Sequence, residues 1–124
     1  MKRTLFPLLS IVLVTGSLSL AADDPFAGRF TVAGVNPDGE GRYTGSLTIK
    51  RNDEVYDVSW TIGNGQTLSG VGVVVDGKLS VGYWASDKSW TGVVVYRARP
   101  DGSLSGVWAG LGNGRTGTEN AVRK

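Results

Sequence analysis

From residue 29 onward, apolar and polar positions alternate in short runs, and each run is cut off by a turn signal. Tyr43, Gly45, Leu47 and Ile49 fall on one side of an extended chain, with Thr44, Ser46, Thr48 and Lys50 on the other. Tyr56, Val58, Trp60 and Ile62 alternate with Val55, Asp57, Ser59 and Thr61, as Leu104, Gly106 and Trp108 do with Ser105, Val107 and Ala109. A period of two belongs to a strand, whose successive side chains point to opposite faces. One apolar and one wetter face is the antiparallel form. Between the runs stand Asn36-Pro37-Asp38-Gly39, Asn52-Asp53, Asn64-Gly65, Asp76-Gly77, Asp87-Lys88, Pro100-Asp101-Gly102 and Asn113-Gly114. Asn-Gly and Asp-Gly pairs accept positive φ at little steric cost and so favour tight hairpins. The pattern predicts eight strands, over residues 29–35, 42–51, 54–63, 67–75, 78–84, 90–99, 103–110 and 115–122. Hairpin links make sequence neighbours pair antiparallel. No stretch shows helical periodicity of useful length.

An open sheet of that size would expose two edges and leave an apolar face uncovered; closing it removes both problems. Gly45, Gly70, Gly72, Gly92 and Gly106 lie inside strands, where they suit the sharp coiling of a small barrel. The expected fold is therefore all-β: a single antiparallel up-and-down meander of about eight strands closing into a small β-barrel. A two-sheet β-sandwich is the alternative. A faint internal repeat runs through the meander. Tyr43-Thr44-Gly45 leads to Trp60 and Gly63-Asn64-Gly65-Gln66-Thr67, and Trp90-Thr91-Gly92 leads to Trp108 and Gly112-Asn113-Gly114-Arg115-Thr116. Shared hairpin chemistry accounts for it; an old duplication is the alternative.

The ends change the electrostatic picture. Lys2 and Arg3 precede a short apolar stretch from Leu5 to Val14, and Ser19-Leu20-Ala21 offers the small residues of a cleavage site. This is the pattern of a secretory signal peptide over residues 1–21, leaving residues 22–124 as a single β-barrel domain. The apolar run is too short for a retained membrane span, so the expectation is an exported protein, periplasmic or extracellular. The whole chain has 13 Lys+Arg and 11 Asp+Glu; loss of Lys2 and Arg3 leaves 11 of each, a formally neutral domain. No basic field remains to attract nucleic acid.

Candidate chemistry is sparse. The chain has neither histidine nor cysteine, which removes the His-dependent nucleophilic systems and the usual zinc and copper ligands. No cofactor or metal site and no catalytic constellation is expected. Asp38, Asp53, Asp76, Asp87 and Asp101 sit in turns, where an aspartate carboxylate caps nearby backbone amides. Glu119 lies in the last strand amid small neutral residues and reads as an exposed edge residue; the alternative is a buried acid facing Arg29 or another arginine. Trp60 and Trp108 alternate with apolar neighbours and read as core. Tyr83 and Trp84 are adjacent and must point to opposite faces, so with Trp90 they place aromatic surface at one end of the molecule. Val71, Val73 and Val75 share one face of the fourth strand, and Val93 and Val95 share one face of the sixth. Apolar residues on both faces of these strands imply an outer side that is also covered.

Phe30, Gly34-Val35-Asn36-Pro37-Asp38-Gly39, Tyr43-Thr44-Gly45, Tyr56, Trp60, Gly70-Val71-Gly72, Val93-Val94-Val95-Tyr96, the run from Asp101 to Trp108 and Gly117-Thr118-Glu119 together resemble a group of small exported bacterial β-domain proteins, some labelled fibronectin-binding. The glycine-rich meander, with Gly45-Ser46 and Ser89-Trp90-Thr91-Gly92, also looks broadly like an avidin-type barrel. Both resemblances imply a β-barrel; neither supplies site residues. The expected function is a non-enzymatic exported binding or interaction domain. It would act through the outer valines Val73, Val75, Val93 and Val95 or the aromatic rim of Tyr83, Trp84 and Trp90, with Glu119 as a further candidate. Its partner would be a second copy or another extracellular or periplasmic protein. The alternative is a carrier of a small apolar ligand inside the barrel.

Overall fold

The computed structural model describes residues 24–39 and 41–124; the signal peptide expected over residues 1–21 lies outside the described residues. Eight strands follow one another: β1 (Gly28–Val35), β2 (Arg42–Asn52), β3 (Val55–Ile62), β4 (Gln66–Val75), β5 (Lys78–Ala85), β6 (Thr91–Ala98), β7 (Leu104–Gly110) and β8 (Gly117–Arg123). Each pairs antiparallel with the next, and β8 returns to pair with β1, closing a barrel. The sequence pattern located every strand to within two residues at either end. The sandwich is excluded, since the hydrogen-bond ladder is one closed ring.

The turn residues work as their chemistry requires, by two routes. Asp53 and Asp76 adopt φ of 59° and 53°, turning β2 into β3 and β4 into β5 through the left-handed region that aspartate tolerates. Asp87 Oδ1 instead accepts from the Ser89 amide at 2.9 Å, and Asp101 Oδ1 accepts from the Ser103 amide at the same distance. Asp38 Oδ1 accepts from the Gly41 amide at 3.2 Å. Two of the five aspartates expected to cap amides thus contribute backbone conformation.

One end of the barrel is shut by the segment before β1. Asp24 Oδ1 accepts from the amides of Phe26 and Ala27, both at 2.9 Å, and its Oδ2 accepts from the Tyr56 hydroxyl at 2.9 Å. This drives the Phe26 ring edge-on into Tyr56, with centroids 6.3 Å apart, where it is fully buried. From β8, Arg123 donates to the carbonyls of Ala27, Pro25 and Gly102 at 2.8–3.0 Å and covers the Phe30 ring. Phe30, Leu47, Ile49, Leu79 and Leu104 fill the interior above this plug.

The faces of the valine strands are now assigned. Val73 on β4, Ser80 on β5, Val95 on β6 and Val107 on β7 form one lateral row, and Val71, Gly82, Val93 and Ala109 form the next. Both rows face outward. Val75 is 58% exposed and Val93 57%. The inward positions beside them are Gly70, Gly72, Val94 and Tyr96.

The two glycines of the internal repeat have one structural role. A Cβ on Gly45 would strike the Thr61 carbonyl, and a Cβ on Gly92 the Ala109 carbonyl. Each carbonyl belongs to the residue after a repeat tryptophan. The adjoining threonine carbonyls also match: Thr44 accepts from the Gly63 amide at 3.1 Å, and Thr91 from Leu111 at 2.9 Å.

Candidate functional site

The end opposite the plug is open. Strands β1, β3, β5 and β7 run toward it, and the turns that follow β1, β3 and β5 border a cavity of about 620 Å³. Cavities of a few hundred to a thousand Å³ are the size that small ligands occupy. Its wall carries Tyr43, Trp60, Tyr83, Trp90 and Trp108, and Glu119 opens onto it from β8. The rings are locked edge-to-face: Tyr43 against Trp108 at 6.2 Å, Trp60 against Tyr83 at 5.7 Å, and Tyr83 against Trp90 at 5.7 Å. T-shaped pairs place the positive edge of one ring on the negative face of another and hold both in place.

Glu119 is 5% exposed, which corrects the expectation of an exposed edge residue. β8 is not an edge, because β1 pairs along it, and Glu119 takes the inward parity between Thr118 and Asn120. Nor does it face an arginine. Its partners are the Tyr96 hydroxyl, donating to Oε1 at 2.9 Å, and the Tyr43 hydroxyl, donating to Oε2 at 3.1 Å. Trp60 Nε1 donates in turn to the Tyr96 oxygen at 3.1 Å, so a chain of donors points at the acid.

The arrangement follows from strand register. Across the closure seam, Tyr96 on β6 pairs with Gly106 on β7, Gly106 with Glu119 on β8, Glu119 with Gly34 on β1, and Gly34 with Tyr43 on β2. A glycine thus stands on each side of the acid. A Cβ on Gly34 would collide with the Tyr43 ring, and one on Gly106 would meet the Tyr96 ring at 2.8 Å. The two tyrosines lie across the space left by the missing side chains and reach the carboxylate.

Burial pushes the Glu119 carboxyl above its ordinary value, while the Tyr96 and Tyr43 hydroxyls and the nearby Trp60 N–H pull the other way. Burial together with the charge of Glu119 pushes the Tyr83 hydroxyl up to about 12 and the Tyr43 and Tyr96 hydroxyls well above the usual phenol range. These phenols stay protonated at physiological pH and remain donors.

The structure divides the other expected site residues. Tyr83 is inside the barrel, Trp84 is outside and 45% exposed, and Trp90 sits half-buried between them at the mouth. The three therefore do not form one rim: Tyr83 and Trp90 belong to the cavity and Trp84 to the outer surface. Val73, Val75, Val93 and Val95 all lie on the outer face, away from the cavity. Trp108, expected in the core, is half-buried in the cavity wall. Sequence reasoning missed Tyr43 and Tyr96 as partners of Glu119. The available signal was the pair of glycines, Gly34 and Gly106, whose purpose becomes visible only when the register is known.

The molecule thus belongs to the class of closed, eight-stranded antiparallel β-barrels that are plugged at one end and open at the other. No family model and no curated protein matches the chain. Among solved structures it is similar to one described as the de novo design of a fluorescence-activating β-barrel, with 20% identity and a TM-score of 0.56 over 80% of this chain and 94% of that one. At that identity the likeness concerns the fold.

Proposed function

We propose that this chain is an exported, non-catalytic barrel that binds a small ring-bearing molecule in its open end. The observation that carries the reading is the cavity of about 620 Å³ walled by five aromatic rings, three of them packed edge-to-face in a continuous series. Preset rings lose little conformational freedom when a ligand arrives, so the apolar area they bury is converted efficiently into affinity. The interior below is filled and the far end plugged. The site is therefore a cup, and a ligand enters and leaves by the same mouth. Sequence features of a secretory leader support export.

Tryptophan emission tests this, because Trp60, Trp90 and Trp108 line the cavity and Trp84 does not. Ring-bearing ligands are expected to shift or quench the emission saturably. Trp90→Ala is expected to weaken binding by about tenfold, the equivalent of one aromatic contact, and Trp84→Ala to leave it unchanged. Binding lost in Trp84→Ala and kept in Trp90→Ala would move the site to the outer surface.

A second reading concerns that outer surface. Val71, Val73, Val93, Val95 and Val107 form a contiguous exposed face over β4, β6 and β7, flattened at its centre by Gly82. A contiguous apolar face on a small domain is a feature of interaction surfaces. A second copy of the chain, presenting the same neutral face, would cover it without placing a charge against it.

A further inference from the structure

We infer that the ligand of the open-end cavity is an organic cation, an ammonium group carried on an apolar or aromatic skeleton, with Glu119 as its counter-charge. The inference rests on the reading of that cavity as the ligand site and adds the chemistry of what fills it.

Charge points first in this direction. Among the described residues, the ionisable carboxylates on the cavity wall are Glu119 and, at the rim, Asp87, and no lysine or arginine lines it. An anionic ligand would meet charge of its own sign. A neutral apolar ligand would seal Glu119 further from water and add nothing to offset its charge. Burying a carboxylate without a cation is costly, and a site that keeps one in a ligand-sized cavity is a candidate for function.

The acid is also incompletely satisfied. A carboxylate offers about four lone-pair positions. Glu119 receives one hydroxyl at each oxygen, from Tyr96 and Tyr43. Both donors are neutral, and among the described residues the ion pair found, Arg51 with Asp24, lies at the plugged end. The groups facing Glu119 from its surroundings are Tyr43 on β2, Trp60 on β3, Tyr83 on β5 and Tyr96 on β6, with Asp87 in the loop above. Its register neighbours on β1 and β7 are Gly34 and Gly106. None of these is a cation. The remaining lone pairs thus have a place for an external N–H donor or a diffuse positive charge.

The walls complete the match. The rings of Tyr43, Trp60, Tyr83, Trp90 and Trp108 line the cavity. Aromatic faces attract alkylammonium groups through the ring quadrupole, and enclosure by several rings with a nearby carboxylate is the physical basis of quaternary-ammonium recognition.

The test compares phenyltrimethylammonium with tert-butylbenzene, which has the same shape and no charge, by titrating the tryptophan emission of the purified protein. The cation is expected to bind at least about tenfold more tightly than its neutral counterpart. Glu119→Gln, which keeps the shape and an acceptor for one tyrosine, is expected to remove that preference by weakening phenyltrimethylammonium binding, with tert-butylbenzene bound no more weakly than by wild type. Because a substitution at a buried position can disturb packing, the wild-type protein supplies a second measurement. Affinity for phenyltrimethylammonium should fall as the pH is lowered from neutrality through the Glu119 value, which burial holds above the ordinary 4.5, with no parallel fall for tert-butylbenzene. Equal affinities for the two compounds, or a cation preference unaffected by pH, overturn the cation inference and leave the cavity as a ligand site. Failure of both compounds and of a wider ring-bearing panel to bind overturns the ligand-site reading and the inference with it.

Discussion

At the scale of single residues, the molecule turns on one acid and two missing side chains. Gly34 and Gly106 let Tyr43 and Tyr96 reach across neighbouring strands to Glu119. The energetic consequence has a definite sign. Burial raises the carboxyl of Glu119 above its ordinary value, so the folded state binds this proton more tightly than the unfolded chain does. The stabilisation is fully present below the unfolded value near 4.5 and is lost as the pH rises through the folded value. In the ligand-free protein, the thermal midpoint of wild type relative to Glu119→Gln is therefore expected to decline as the pH rises from about 4 toward neutrality. Differential melts of the two proteins across that range measure it, and a pH-independent difference would mean that Glu119 is not held in the surroundings described. The sequence displayed Glu119 as unusual through its small neutral neighbours, but an acid on an edge strand and an acid at a closed seam have the same local pattern. Only the pairing of β8 with β1 separates them.

At the scale of strands and hairpins, the same substitution has opposite effects on adjacent strands. Gly92 on β6 packs against the Ala109 carbonyl and the Tyr83 ring, so Gly92→Ala forces backbone or ring to move and is expected to cost about 1–3 kcal/mol. Gly82 on β5 faces outward with open space around its would-be Cβ. Gly82→Ala lowers the entropy of the unfolded chain and is expected to be neutral or to stabilise by about 0.5 kcal/mol. Urea denaturation of both variants checks the pair; equal and large losses would show that β5 and β6 are not packed in this register. This scale was the most legible in the sequence. Alternation in β2, β3 and β7 assigned every inward residue of those strands correctly, because the period of two is a property of the extended backbone alone. The double-sided valines of β4 and β6 were not resolvable that way, since both parities are apolar. The glycines at 70 and 72, packed inside against Val81, decide that the valines face outward.

At the scale of the whole molecule, the closed ring leaves no unpaired edge, so association must use faces and not strand addition. The outward rows of valine are the face available for it, bordered by Lys78 and Arg97 at one end and Trp84 at the other. If a second copy covers that face, light scattering is expected to give a dimer that dissociates in Val95→Glu. The variant's thermal midpoint, measured on the monomer, should change little because the side chain is outside the core. A monomeric wild type at high concentration would end this reading and leave the cavity reading intact, since the two surfaces share no residue among the valines.

The amino-acid sequence alone determined the number of strands, their order, their hairpin links and most of their inward faces. Each of these depends on a periodicity or a turn conformation that is complete within a few residues. The tertiary structure decided what the closure of the ring brings together. Tyr43 and Glu119 are 76 positions apart, Tyr96 and Glu119 are 23 apart, and Asp24 reaches Tyr56 across 32. Contacts at such separations depend on barrel register and on where the first strand meets the last. A pattern read along the chain holds no term for either, and that is why the cup's plug and its buried acid emerged only from the fold.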